Sequence, residues 1–412
     1  MYDQWTLSNG LRVVGEKLPH LRSCSVGVWI RVGSMMEAPC ENGLSHFIEH
    51  MVFKGTERRS ARDIAEEMDA VGGQLNAFTS KDCTCFYAKV IDEDLALAVD
   101  ILSDLTLNAV MDETELDKER GVILEEIAMT EDTPEDLVHE LLSLSQFGNQ
   151  SLAMPILGPN EQIEKYSRSD LKAFQNHHYR PENVVVSLAG NYDLAQVKAL
   201  INKAFGAWQG TGTPNLPEKM HTLFGQKLFR EKDTEQMHLC LGYPGVAMGS
   251  DLGYTLAVLN NVLGGGMSSR LFQRIREELG MAYTIYTYPG SYFSCGTFNV
   301  YAGTSPKNAK TVLEQTHAEI EKLLREGINE KEFRQAKAQL RGSYMLGLES
   351  ASGRMQSIGR GVLLLNEAKY PDDVIAKIDA VSIDDVSRMA QDILSTQPNM
   401  AVVGKNAAQY CK

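Results

Sequence analysis

The 412-residue sequence contains no run of about 18 apolar residues, so no segment of it reads as a membrane-crossing helix. Its first residues, MYDQWTLSNGLRVV, lack a charged stretch followed by an apolar core. Nothing there marks the chain for export, and the expected setting is cytoplasmic and bacterial. Basic residues are in deficit, 40 Lys and Arg against 54 Asp and Glu, for a net charge of -14. That deficit argues against a nucleic-acid partner, because affinity for phosphate backbones needs clustered cations. An acidic surface attracts basic peptides instead. Cysteine is sparse and odd in number, seven residues scattered through the chain, which excludes a disulfide framework and fits reduced thiols. Cys83 and Cys85 share one face of a strand, but no second cysteine pair lies nearby, so they read as structural thiols. The glycine run GGGMSSRLFQ, from Gly264, lacks the Gly-Lys-Ser/Thr end of a phosphate loop and reads as a flexible loop before a helix.

What is present is ordinary globular composition, 43% apolar and 23% charged, at a length that calls for two or three domains. The chain opens as a hairpin, WTL and LRVV about Asn9-Gly10. Val26, Val28, Ile30 and Val32 follow at period two, the pattern of a half-buried strand. A helix capped by Ser60 stops at Gly72-Gly73, and helical stretches are expected near 93–109, 112–131 and 134–146. NVVVSLAGN reads as a buried strand, followed by a helix ending at Trp208. The segment from Gln209, QGTGTPNLPEK, has no apolar period and is the linker. Beyond it the pattern recurs, down to a last strand NMAVVGKN, which puts Gly190 and Gly404 at matching points 214 residues apart. The expectation is an internal duplication: domains at 1–208 and 222–412 joined by a linker at 209–221, each α+β, with antiparallel-rich strands and grouped helices. His177 and His178, before Arg180-Pro181, read as helix-end residues whose cationic character suits the helix dipole.

The stretch GLSHFIEHMVFKGT carries the chemistry. On a helix, His46, Glu49 and His50 sit at about 0°, 300° and 40°, so the three side chains share a face. Imidazoles at i and i+4 can hold one zinc ion, and a carboxylate beside them can take a proton from water. The order is H-x-x-E-H, the reverse of the commoner H-E-x-x-H. A catalytic zinc wants three protein ligands and an open position. In DKERGVILEEIAM, Glu119 and Glu126 are two helical turns apart on one face while Glu125 points away, so Glu126 could ligate and Glu119 support the site.

These motifs resemble the pitrilysin (insulinase-like) family of zinc metallopeptidases, the inverzincins, which includes mitochondrial processing peptidase and insulin-degrading enzyme. The family pattern is H-x-x-E-H followed about 76 residues on by the ligating Glu of E-R-x-x-[IV]-x-x-E, and here ERGVILEE places Glu126 76 residues after His50. The resemblance implies that His46, His50 and Glu126 are ligands to one Zn2+ per chain, with Glu49 the general base and Glu119 a supporting acid. It covers essentially the whole chain, implies two homologous α+β domains, and explains why the second half carries no histidine pair. It further implies that Asn76, Ala77 and Phe78, in GGQLNAFTSKD, form an edge strand that binds peptide by strand addition. Arg276 and Tyr283, flanking Gly280, match the pair that binds substrate backbone and stabilises the oxyanion.

The implied activity is that of a zinc endopeptidase cleaving unfolded or presequence-like peptides inside a closed chamber. Longer members join four such domains in one chain, so a homodimer of this two-domain chain is expected, with a heterodimer the alternative. The rival reading is a non-catalytic or partner-dependent peptide-binding subunit of the same fold.

Overall fold

The computed structural model describes residues 2–210 and 216–411. Its strands are β1 (Asp3–Thr6), β2 (Arg12–Lys17), β3 (Ser23–Ile30), β4 (Gln74–Thr79), β5 (Thr84–Ile91), β6 (Val184–Gly190), β7 (Lys227–Glu231), β8 (Met237–Pro244), β9 (Ala282–Ser291), β10 (Gly296–Thr304) and β11 (Asn399–Gly404). The helices of the N-terminal half are α1 (Leu44–Val52), α2 (Ala61–Ala70), α3 (Leu95–Asn108), α4 (Glu113–Asp132), α5 (Pro134–Phe147), α6 (Asn160–Ile163), α7 (Arg168–His178) and α8 (Leu194–Phe205). The C-terminal half adds α9 (Leu252–Leu263), α10 (Ala309–Glu326), α11 (Glu330–Gly347), α12 (Ala351–Leu365), α13 (Pro371–Ala380) and α14 (Ile383–Leu394). No helix among the described residues is long and apolar enough to cross a membrane.

Two compact units result, each assembled from three stretches of chain. One comprises Met1–Ile127, Pro155–Glu218 and Leu346–Lys369, the other Ala128–Met154, Lys219–Met345 and Tyr370–Lys412. A cut at 209–221 therefore does not separate them, since α5 from the N-terminal half belongs to the second unit and α12 from the C-terminal half to the first. Of the expected linker, residues 211–215 lie outside the described residues.

Both units are α+β and share one sheet plan. The first sheet runs β1-β2-β6-β3-β5-β4 and the second β7-β11-β8-β10-β9. In the first, β6 lies parallel to β2 and antiparallel to β3; in the second, β11 lies parallel to β7 and antiparallel to β8. Leaving aside the extra edge strand β1, strand order and direction match one for one. Gly190 and Gly404 close the equivalent strands at φ 142° and 143°, a backbone conformation that side chains strongly disfavour. The expected duplication is thus repeated down to one dihedral angle.

In the first unit the apolar alternation of β3 packs Val26, Val28 and Ile30 with Phe47 and Ile48 of α1 and Leu102 and Leu105 of α3. Period two alone implies a half-buried strand, but both faces are covered. The second face meets α12, whose Met355 and Ile358 join Trp29, Val185 and Cys85 in a separate apolar layer. Small residues permit the approach: a Cβ on Gly27 would lie 2.6 Å from Met355 Sδ, and one on Gly359 2.3 Å from Trp29 Nε1. Ser25 and Gly27 thus stand between the apolar positions because a helix approaches there, not water. In the second unit α5 plays the corresponding part, burying Leu137, Val138 and Leu142 against Cys240, Tyr301 and Val403.

One electrostatic expectation is corrected. α7 does end at His178, but that side chain is buried, and burial, followed by the charges of His177 and Arg180, pushes its pKa down to about 3. A neutral imidazole, not a cation, closes the helix.

Candidate metal centre

α1 begins at Gly43, whose φ of 99° is glycine's territory and which offers no capping side chain. The cap comes instead from Glu37, 3% exposed, whose carboxylate accepts from the backbone N–H of Gly43 at 2.8 Å and of Ser45 at 2.8 Å, and from Asn42 Nδ2 at 2.9 Å. A carboxyl group placed against the first turn satisfies buried donors, while burial pushes its pKa up against the hydrogen bonds it accepts. Leu44, Phe47, Ile48, Met51 and Val52 turn into the core. His46, Glu49 and His50 are the residues of α1 that remain partly exposed, the shared face read from their spacing.

α4 lays Glu119 and Glu126 against that face. Glu126 Oε2 stands 3.7 Å from His46 Nε2 and 3.6 Å from His50 Nε2. Three ligands at roughly 2.0–2.1 Å from a tetrahedral zinc would stand about 3.4 Å apart, so the two distances to Glu126 are close to what the ion requires. Among the described residues, His46, His50 and Glu126 form the cluster of at least three such side chains whose donor atoms all lie within 4.8 Å of one another. Glu125 is exposed, as expected. Cys83 and Cys85 are buried free thiols, and the Cys85 pKa is raised well above the usual thiol range, chiefly by burial, as structural cysteines should be.

A second layer orients the first. His50 Nδ1 lies 3.0 Å from Glu119 Oε2; donating its proton there leaves Nε2 free to ligate. The other Glu119 oxygen is 2.5 Å from Lys54 Nζ, and the carboxylate side chain is only 8% exposed. Burial, then the charge of His50, pushes the His46 pKa down to about 3, so that imidazole is neutral and ready to bind a cation. Glu49 is pushed up from the usual carboxylate range by burial, opposed by a hydrogen bond from Thr79 and by His50.

Asn76, Ala77 and Phe78 lie on β4, the terminal strand of the first sheet. Leu75 and Ala77 pack towards the α1 side of the sheet, while Phe78 packs against Trp29 and Tyr87 on the other, at centroid distances of 5.7 and 6.3 Å. Asn76 is exposed, and its Oδ1 accepts from the Ala77 N–H at 2.8 Å.

Arg276 and Tyr283 belong to the second unit, and the structure brings them together. Arg276 sits in the π-helical turn Phe272–Glu278, with its guanidinium carbon 5.0 Å from the Tyr283 ring centroid and 4.7 Å from that of Phe272. Gly280, at φ 60°, turns the chain between them. Tyr283 is 76% exposed. In this unit α9 follows β8 as α1 follows β3, and it carries no histidine.

Sequence reasoning missed Glu37, Lys54 and Thr79. A glycine at the helix start implies a cap from elsewhere, and Thr79 continues the alternation of Leu75 and Ala77. Lys54 carries no such signal.

Comparison with known proteins shows the family and the fold. Residues 12–160, which hold all five of His46, Glu49, His50, Glu119 and Glu126, match the model described as "Insulinase (Peptidase family M16)", and residues 165–340 match "Peptidase M16 inactive domain". The chain is 44% identical to an uncharacterized zinc protease, YmxG, of Bacillus subtilis, covering 98% of both proteins. It is 36% identical to an uncharacterized zinc protease of Rickettsia felis, covering 97% of both. Its fold superposes on a protease from Helicobacter pylori with a TM-score of 0.92 at 23% identity, over 98% of this chain and 99% of that one. By sequence and by fold, the chain belongs to the insulinase family, peptidase family M16.

Proposed function

We propose that the protein is a zinc-dependent endopeptidase that binds unstructured peptides as an added strand on β4 and hydrolyses them beside α1. The reading rests on one observation: His46, His50 and Glu126 converge within 4.8 Å, and Glu49 shares the helix face of the two histidines. Two imidazoles and a carboxylate suit zinc and leave a coordination position open. Zinc, when bound, supplies Lewis-acid chemistry, acidifying water and polarising the peptide carbonyl.

Glu49 then acts first as base. It takes a proton from the attacking water as the water oxygen bonds to the carbonyl carbon, and it returns that proton to the leaving amine as the C–N bond breaks. Its raised pKa suits a group that must hold a proton between the two steps. Glu119 keeps the His50 ring in its ligating orientation. The free edge of β4 offers main-chain hydrogen bonds, which favour extended chains and demand little of their sequence. Arg276 and Tyr283 bind peptide backbone and stabilise the oxyanion.

The test is cleavage of quenched unstructured peptides of graded length and charge by wild type and Glu49→Gln, with and without a chelator, alongside zinc analysis. The expected result is chelator-sensitive cutting by wild type, with one zinc per chain in both proteins and no cutting by Glu49→Gln. Cutting by Glu49→Gln at near the wild-type rate would refute the role given to Glu49. Zinc bound without turnover of any peptide would favour the non-catalytic subunit.

A further inference from the structure

We infer that Thr79 is the positioning residue for Glu49, and that through it the peptide-docking strand itself sets the geometry of the base. The inference rests on the endopeptidase reading above and adds a residue to it. Thr79 Oγ1 donates to Glu49 Oε2 at 2.5 Å. Thr79 is the last residue of β4, and alternation places it on the same side of the sheet as Leu75 and Ala77, the side that faces α1.

The hydroxyl is held on a rigid mount. Its β-branched side chain is stiff about χ1. Thr79 pairs across the sheet with Thr84, whose own hydroxyl donates to the Val32 carbonyl at 2.9 Å. The connecting turn is knit at both ends: the Ser80 N–H donates to the Cys83 carbonyl at 2.8 Å, and Ser80 Oγ accepts from the Cys83 N–H at 3.1 Å. By contrast Glu49 has three side-chain torsions, and no other hydrogen-bond donor to its carboxylate is seen among the described residues. Engaging Oε2 fixes the carboxylate and leaves Oε1 to face the reacting water.

A peptide added to the free edge of β4 takes its register from that strand. The reacting carbonyl and the base are then referenced to the same few residues, 76–79, instead of to two elements that could drift apart. A misplacement of about 1 Å between reacting groups can cost on the order of a hundredfold in rate. Without its anchor, Glu49 should therefore lose turnover while the strand keeps its hold on the peptide.

Thr79→Val removes the hydroxyl but retains shape and strand preference, and Thr79→Ser keeps the hydroxyl. For Val, kcat should fall about ten- to a hundredfold, with KM within about threefold of wild type and one zinc still bound per chain. For Ser, kcat should return to within about threefold of wild type. In a Glu49→Gln background, Thr79→Val should change residual turnover no further, since both act through one carboxylate. The inference is overturned if Thr79→Val keeps wild-type kcat, if its loss falls in KM or zinc content, or if Ser is as damaged as Val. Those outcomes differ from failure of the endopeptidase reading, which appears as no cutting by wild type or full cutting by Glu49→Gln and removes both.

Discussion

Removing the carboxylate of Glu119 should weaken zinc binding without removing a ligand. Glu119 holds the His50 ring through Nδ1 at 3.0 Å and is itself held by Lys54 at 2.5 Å, in surroundings that leave its side chain 8% exposed. In Glu119→Ala the ring is free to turn, and its Nε2 must be oriented at the moment of binding. Loss of such an outer partner typically costs about 10- to 100-fold in metal affinity, or roughly 1.4–2.7 kcal/mol. Glu119→Gln should fall between, because its amide oxygen still accepts from Nδ1, though more weakly than a carboxylate. Glu126→Gln should lose more than either, since it weakens one of only three proposed ligands. Competition against a fluorescent zinc chelator reads all three affinities without requiring turnover. If Glu119→Ala binds zinc within twofold of wild type, the orienting role is wrong and the 3.0 Å contact is merely structural.

Two further perturbations test the frame around the site. Glu37→Ala deprives the buried N–H groups of Gly43 and Ser45 of their acceptor; at about 1–3 kcal/mol for each orphaned donor, the urea midpoint should drop by the equivalent of about 3 kcal/mol, and a loss below 1 kcal/mol would refute the cap. His178 gives a pH test. Its folded pKa of about 3 lies below the ordinary 6.5, so the unfolded chain binds a proton that the folded one refuses. The stability it contributes is whole above pH 6.5 and is lost as pH falls towards 3, by about 1.4 kcal/mol per pH unit. His178→Gln should flatten that acid slope in urea titrations, and an unchanged slope would show that other groups dominate it.

What the sequence disclosed was whatever is periodic or local. The spacing of His46, Glu49 and His50 against Phe47, Ile48 and Met51 fixes which face of α1 carries chemistry, and the two-turn spacing of Glu119 and Glu126 does the same on α4. The matching of Gly190 with Gly404 exposed the duplication. What stayed hidden was set by long-range packing. Ser25 and Gly27 in β3 read as a solvent face because nothing local announces that Ser352 and Met355, more than 300 residues away, will lie against them. Lys54 and Glu37 escaped because hydrogen bonding to a neighbouring element leaves no period in the chain, and the alternation that holds Thr79 gives its side of the sheet but not its partner. His178 escaped because polarity in the sequence does not say whether a side chain will be desolvated.

The exchange of α5 and α12 between the halves bears on how the protein is made. A domain completed by its own contiguous sequence can fold while the ribosome is still translating the rest of the chain. Here the sheet on which α1 packs keeps its other face open, with Trp29, Val185 and Cys85 uncovered, until Ala351–Leu365 has been synthesised. The nascent N-terminal half therefore carries an adhesive apolar surface through most of its synthesis. A gene split at the linker should yield two fragments that aggregate apart and become active only when expressed together.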